Sequence, residues 1–70
     1  MLLSILIPTL YTRENLLKGL INKLQFQIDT FDLVGEVEIL TALDNRENTT
    51  GFKRNMLLES AKGKFVVFVD

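Results

Sequence analysis

The 70-residue chain contains no cysteine and no histidine. Without cysteine there is neither a disulfide framework nor a thiolate metal site, which fits a reducing compartment. Without histidine, Ser–His and Cys–His nucleophilic catalysis and imidazole-based zinc sites are excluded from this segment. An excess of either charge is also lacking. Eight Lys and Arg face nine Asp and Glu, for a net charge of −1, and no basic block marks a nucleic-acid footprint. No apolar run approaches the about 18 residues of a membrane span. The apolar start, Leu2–Ile7, has no basic residues before it and is stopped early by Pro8, so it reads as a strand and not as a signal peptide. The expectation is a cytoplasmic protein with no nucleic-acid partner and no membrane span in this segment. Any membrane association would come through regions outside it.

What the chain has in quantity is apolar surface. Its hydrophobic fraction is 47% and its mean hydropathy +0.21. A chain this short buries only about 60% of the surface it exposes when unfolded. So much apolar surface in so small an interior suggests a core completed by further surface. Residues 1–70 are therefore expected to form one incomplete domain. The run Phe65-Val66-Val67-Phe68-Val69 reads as a buried strand that leads directly into Asp70.

The hydrophobic periodicity alternates between two kinds. Leu2–Ile7 is a continuous apolar run, suited to a strand buried on both faces. Pro8–Arg13 follows as a loop in which Thr12 is placed to cap a helix. Leu16, Leu17, Leu20, Ile21, Leu24 and Ile28 then recur at helical spacing, predicting a helix from near Arg13 to near Ile28. Asp29–Gly35 has no strong pattern. Val37–Leu43 is rich in β-branched residues and predicts a second strand ending at Asp44. A polar loop, Asp44–Thr50, leads to a second helix capped by Thr49 or Thr50 and running to about Lys62. Its apolar stripe is Phe52, Met56, Leu57 and Ala61, and Gly63 stands where a terminating glycine belongs. Phe65–Val69 is the third strand. The β-α-β-α-β order predicts an α/β fold with a parallel sheet and right-handed crossovers.

In open α/β sheets ligands bind beyond the carboxyl ends of the strands. Three segments leave strand ends here: Pro8-Thr9-Leu10-Tyr11, Asp44 with its loop, and Asp70. Asp44 and Asp70 each have two readings, as ordinary turn or cap residues or as ligand-facing carboxylates. Neither a G-x-G-x-x-G nor a G-x-x-x-x-G-K-[ST] sequence is present, so the dinucleotide fingerprint and the P-loop are excluded.

Three stretches in order carry a resemblance to a known family. Ser4-Ile5-Leu6-Ile7-Pro8-Thr9 resembles the opening strand of family 2 glycosyltransferases. Gly51-Phe52-Lys53-Arg54-Asn55 is similar to their Gly-x-x-Arg-Asn segment, and Ala61-Lys62-Gly63-Lys64-Phe65 through Asp70 to the run that enters their D-x-D motif. The resemblance implies the N-terminal, donor-binding half of a GT-A fold: a three-layer, Rossmann-like βαβαβ unit. The family's additional helix and strand after the second-strand aspartate have no room here, because only six residues, Asn45–Thr50, intervene. A strand order of 2-1-3 is then expected, with Pro8 and Thr9 beside Asp70.

The resemblance further implies a nucleotide-sugar site formed by Pro8, Thr9, Tyr11, Asp44, Arg54 and Asp70. Thr9 and Tyr11 would cradle the nucleotide, Asp44 would accept the imide N–H of uracil, and Arg54 would serve base or diphosphate. Asp70 would be the first D-x-D aspartate and a candidate metal ligand, for Mn²⁺ or Mg²⁺ completed by residues beyond it. The implied reaction transfers sugar from a nucleoside-diphosphate sugar, UDP-linked, to a hydroxyl of a glycan, lipid-linked or other acceptor. No catalytic residue falls within the segment, and the 70 residues alone are expected to be inactive. The residues also keep other readings. Tyr11 suits a hydrophobic staple, Lys53 and Arg54 a solvated helix face, and Asn55 a structural amide. A nucleotidyltransferase-like domain and a flavodoxin-like or receiver-like signalling module are the rival functions.

Overall fold

A computed structural model of the chain describes residues 1–69. Its elements run β1 (Leu3–Leu10), α1 (Glu14–Thr30), β2 (Val37–Asp44), α2 (Thr50–Ser60) and β3 (Phe65–Phe68). The strands form one parallel sheet in the order β2-β1-β3, as expected. Leu3 lies opposite Val37 on one side and Phe65 on the other. The two crossovers run in opposite directions, so right-handed connections put α1 and α2 on opposite faces and make three layers.

Side chains alternate across the sheet, and the two faces divide accordingly. Ile5 and Ile7 of β1 form a core with Leu17 of α1, joined by Leu20, Ile21 and Leu24 and by Val37, Ile39 and Leu43 of β2. The other face carries Ser4 and Leu6, both fully buried, under the helix that buries Leu57. β1 is thus covered on both faces, which explains its unbroken apolar run.

Several boundaries depart from the periodicity. β1 continues through Pro8 to Leu10. The Leu2 and Leu6 carbonyls accept from Phe65 and Val69, so even-numbered residues of β1 turn their hydrogen-bonding groups toward β3. The last β3 pairing is Leu6 with Phe68. Pro8 lies beyond it, where its missing N–H interrupts no pairing among the described residues. Thr12 does not cap α1. It sits in a 3-10 turn, Tyr11–Arg13, and Arg13 precedes the helix with no side-chain cap. Leu16 is exposed, although its spacing matched the apolar set. α1 ends at Thr30, later than its pattern, through backbone bonds from Asp32 N to Asp29 O and from Leu33 N to Ile28 O. Asp32 takes the left-handed conformation there, with φ of 56°, the position a glycine more often fills.

β3 is an edge strand, and Phe65, Val66 and Val67 are exposed, contrary to the buried strand expected from its composition. α2 is capped by Thr49, whose Oγ1 accepts from Phe52 N at 3.0 Å, but it ends at Ser60. Its inward face is Lys53 and Leu57. Phe52 and Met56, expected in the apolar stripe, are exposed.

Gly63 does not end that helix in a left-handed turn: the only glycine with positive φ is Gly35, among the described residues. Its requirement is closeness to β1. A Cβ there would lie 2.6 Å from Ser4 N and 2.8 Å from Leu3 C. Its N–H donates to Ser4 Oγ at 2.9 Å. The Ser4 hydroxyl donates in turn to Glu38 on β2, and Glu38 Oε2 also accepts from Lys62 N at 2.7 Å. One buried serine therefore fastens the amino-terminal rim of all three strands. The Ser4 hydroxyl and the Lys62 amide, opposed by partial burial, hold the Glu38 carboxyl below its ordinary range.

Candidate functional site

The carboxyl rim is organised by a buried ammonium group. Lys53 lies on the inward face of α2 and is 5% exposed. A charge so placed is costly unless paired, and Lys53 is paired twice. Its Nζ donates to the Thr9 carbonyl at 3.0 Å and to Asp44 Oδ1 at 3.0 Å. Register makes this possible: Leu10 and Asp44 are paired at the ends of β1 and β2, and the first turn of α2 passes over both.

Asp44 also shapes the loop that follows it. Its Oδ1 accepts from Arg46 N at 3.2 Å and its Oδ2 from Asn48 N at 2.9 Å. These bonds hold Arg46 at a φ of 74°, in the left-handed region where a Cβ is disfavoured. Burial alone would push the Asp44 carboxyl up. The Lys53 hydrogen bond and the two loop amides outweigh it and bring the group below its ordinary range.

Above this clamp opens a cleft of about 560 Å³, bordered by Pro8, Thr9, Leu10 and Arg13 on one side and by Arg46, Asn48, Thr49, Thr50 and Lys53 on the other. A smaller cavity of about 150 Å³ adjoins it on the α1 face, between Ile7, Thr9, Arg13, Leu16, Leu17 and Leu20. The cleft falls where α/β sheets bind ligands, and its volume is in the range of small-molecule sites. Its polar lining consists of hydroxyls, an amide and cations, with no carboxylate on its walls among the described residues.

Of the residues expected at the site, Pro8, Thr9 and Asp44 come together at this rim. Thr9 and Asp44 meet through the Thr9 main-chain carbonyl, with Lys53 between them. By strand alternation the Thr9 side chain belongs to the α1 face with Ile7, while the Asp44 side chain belongs to the α2 face. Tyr11 follows in the 3-10 turn and is half exposed. Arg54 is set apart: its guanidinium stacks over the Phe68 ring, 4.7 Å from the centroid, on the β3 side of the sheet. Asp70 lies outside the described residues. Among those residues, no group of three or more carboxylates, histidines or cysteines gathers to hold a metal ion.

Arg13 and Arg46 were not singled out by the sequence reading, and Lys53 was read there only as part of a solvated helix face, a reading that its 5% exposure overturns. Lys53 was legible in principle, because Lys53 and Leu57 share a helical face. A lysine on the inward face of a helix over two strand ends announces a buried pair. Arg13 and Arg46 come together only through the fold.

Searches of protein-family models, curated proteins and solved structures return no match to this chain. None of the described helices is long and apolar enough to cross a membrane.

Proposed function

We propose that the chain is the donor-binding part of a family 2, GT-A-type glycosyltransferase, taking a UDP-linked sugar for transfer to an acceptor hydroxyl. The observation that carries the reading is the clamp at the carboxyl rim. Lys53 joins the Thr9 carbonyl to Asp44, and Lys53 and Thr9 border a polar, ligand-sized cleft. Asp44 keeps an acceptor position, since an ionised carboxylate offers about four lone-pair sites and three are occupied. That position suits the imide N–H of uracil. Tyr11, exposed beside the rim, is available to flank the base.

In the reaction the acceptor oxygen bonds to the anomeric carbon as the bond to the diphosphate breaks, and the acceptor proton passes to a base. The chain's own part is to bind and orient the donor. Arg54 toward the diphosphate, and Asp70 with a divalent cation, belong to the same proposal on the resemblance alone, and no step is routed through them. The transfer itself is assigned to the whole enzyme.

Titration with UDP, followed by amide chemical shifts, tests the reading. Saturable changes confined to Thr9–Arg13 and Asp44–Lys53 are expected. No saturable change, or changes centred on the carboxyl end of α1, would overturn it.

A further inference from the structure

We infer that the rim cleft is a diphosphate-binding site in which Arg13 and Arg46 neutralise the anion directly. The site rests on the nucleotide-sugar reading only for what the diphosphate is attached to. Three cations, Arg13, Arg46 and Lys53, border the cleft, and among the described residues no carboxylate does. Lys53 is already committed to Asp44 and the Thr9 carbonyl, so the charge of that pair cancels. Arg13 and Arg46 remain, and neither forms an ion pair among the described residues. The carboxylates on adjoining segments are engaged elsewhere. Glu14 pairs with Lys18 at 3.6 Å, and Glu47 accepts from Asn45 N at 2.6 Å. The cleft therefore presents two guanidinium groups, one from each side, with no ion-pair partner among the described residues.

That charge matches the diphosphate of a nucleotide sugar, which carries one negative charge on each phosphate. Guanidinium forks bind phosphate oxygens through paired hydrogen bonds. The first turn of α2, an 11-residue helix, faces the same space through Thr49 and Thr50. Its leading amides have no carbonyl partner within the helix and add positive potential. Arg46 keeps a long charged side chain at a left-handed backbone position where glycine or asparagine sits more easily, and Asp44 holds it there.

The test is calorimetric titration of the chain with inorganic pyrophosphate, UDP and uridine in metal-free buffer at two salt concentrations. Pyrophosphate and UDP are expected to bind, uridine at least tenfold more weakly than UDP, and added salt to weaken both anions. Arg13→Gln and Arg46→Gln should each reduce pyrophosphate affinity about tenfold. Arg46→Asn suits the left-handed backbone, so it removes the charge without threatening the fold and should lose affinity equally. Wild-type affinity for pyrophosphate in the Arg46→Asn and Arg13→Gln variants, or no pyrophosphate binding by the unaltered chain, would overturn the inference. The two readings fail separately. UDP binding untouched by the arginine substitutions sinks the diphosphate site and leaves the nucleotide reading standing. Pyrophosphate binding with UDP no tighter supports the anion site and sinks the nucleotide reading.

Discussion

Replacing Gly63 by alanine is expected to cost this protein a large part of its stability. The added Cβ would lie 2.6 Å from Ser4 N, 2.7 Å from Ser4 Oγ and 2.8 Å from Leu3 C. Carbon contacts are comfortable at about 3.5–4.0 Å, so roughly an ångström of separation must be found. The hydroxyl cannot turn away without releasing Glu38 and the Gly63 amide. The other two atoms are backbone of the central strand. The segment entering β3 must therefore retreat, straining the bonds from Lys64 N to Met1 O and from Phe65 N to Leu2 O. Overpacking of this kind costs about 1–3 kcal/mol, and the lost Gly63–Ser4 hydrogen bond about 1 kcal/mol more. Lower chain entropy in the unfolded state returns about 0.4–1 kcal/mol. The net loss is about 1–3.5 kcal/mol, from a total of about 4–10 kcal/mol for a domain of this length. In urea, with a slope of about 1 kcal/mol/M, the midpoint should fall by about 1–3.5 M. Gly19→Ala is the control. Nothing lies within 4 Å of its Cβ position, and helix propensity predicts a gain of about 0.5–1 kcal/mol. If the Gly63 variant unfolds at the wild-type midpoint, the close approach of the α2–β3 connection to β1 is wrong.

Thr49→Ala removes the side-chain cap of α2 and should cost about 1 kcal/mol by chemical denaturation, whereas Thr50→Ala should change little. Glu38 and Asp44 have folded pKa values below their ordinary ones. Their stabilisation is therefore complete above the unfolded values of about 4 and disappears as pH falls through the folded ones. Urea midpoints between pH 7 and pH 3 should decline, and Glu38→Gln should flatten that decline. An identical acid slope in the variant would contradict the Ser4–Glu38 tie. Lys53→Met strands Asp44 and the Thr9 carbonyl together. Its urea midpoint at pH 7 should fall further than that of Thr49→Ala, and NMR titration of Asp44 should show its pKa rising.

Much of the architecture was written in local pattern. The β-α-β-α-β order followed from the change between continuous apolar runs and helical spacing, and the burial of β1 on both faces from an apolar run without alternation, whereas its central place in the sheet was expected only from the family resemblance. Ends were harder to read. Pro8 looked like a strand terminator because local sequence does not reveal to which neighbour a residue of β1 would turn its N–H. Gly63 looked like a helix stop because both of its possible uses, a left-handed turn and a close approach, call for the same missing side chain. β3 looked buried because Phe65–Val69 has the composition of an inner strand, while its exposure depends on what stands next to it. The site divided in the same way. Asp44 and Thr9 could be named from their positions at strand ends, but their meeting through Lys53 could not.

The sequence by itself determined the element types, the parallel α/β class and the placement of polar residues at the strand ends, because each follows from interactions within a few residues. Tertiary structure decided the rest. Residues 44 positions apart, Thr9 and Lys53, became partners, and Arg13 and Arg46 came to face one cleft. Such meetings depend on strand register and crossover direction, which no short stretch of chain encodes.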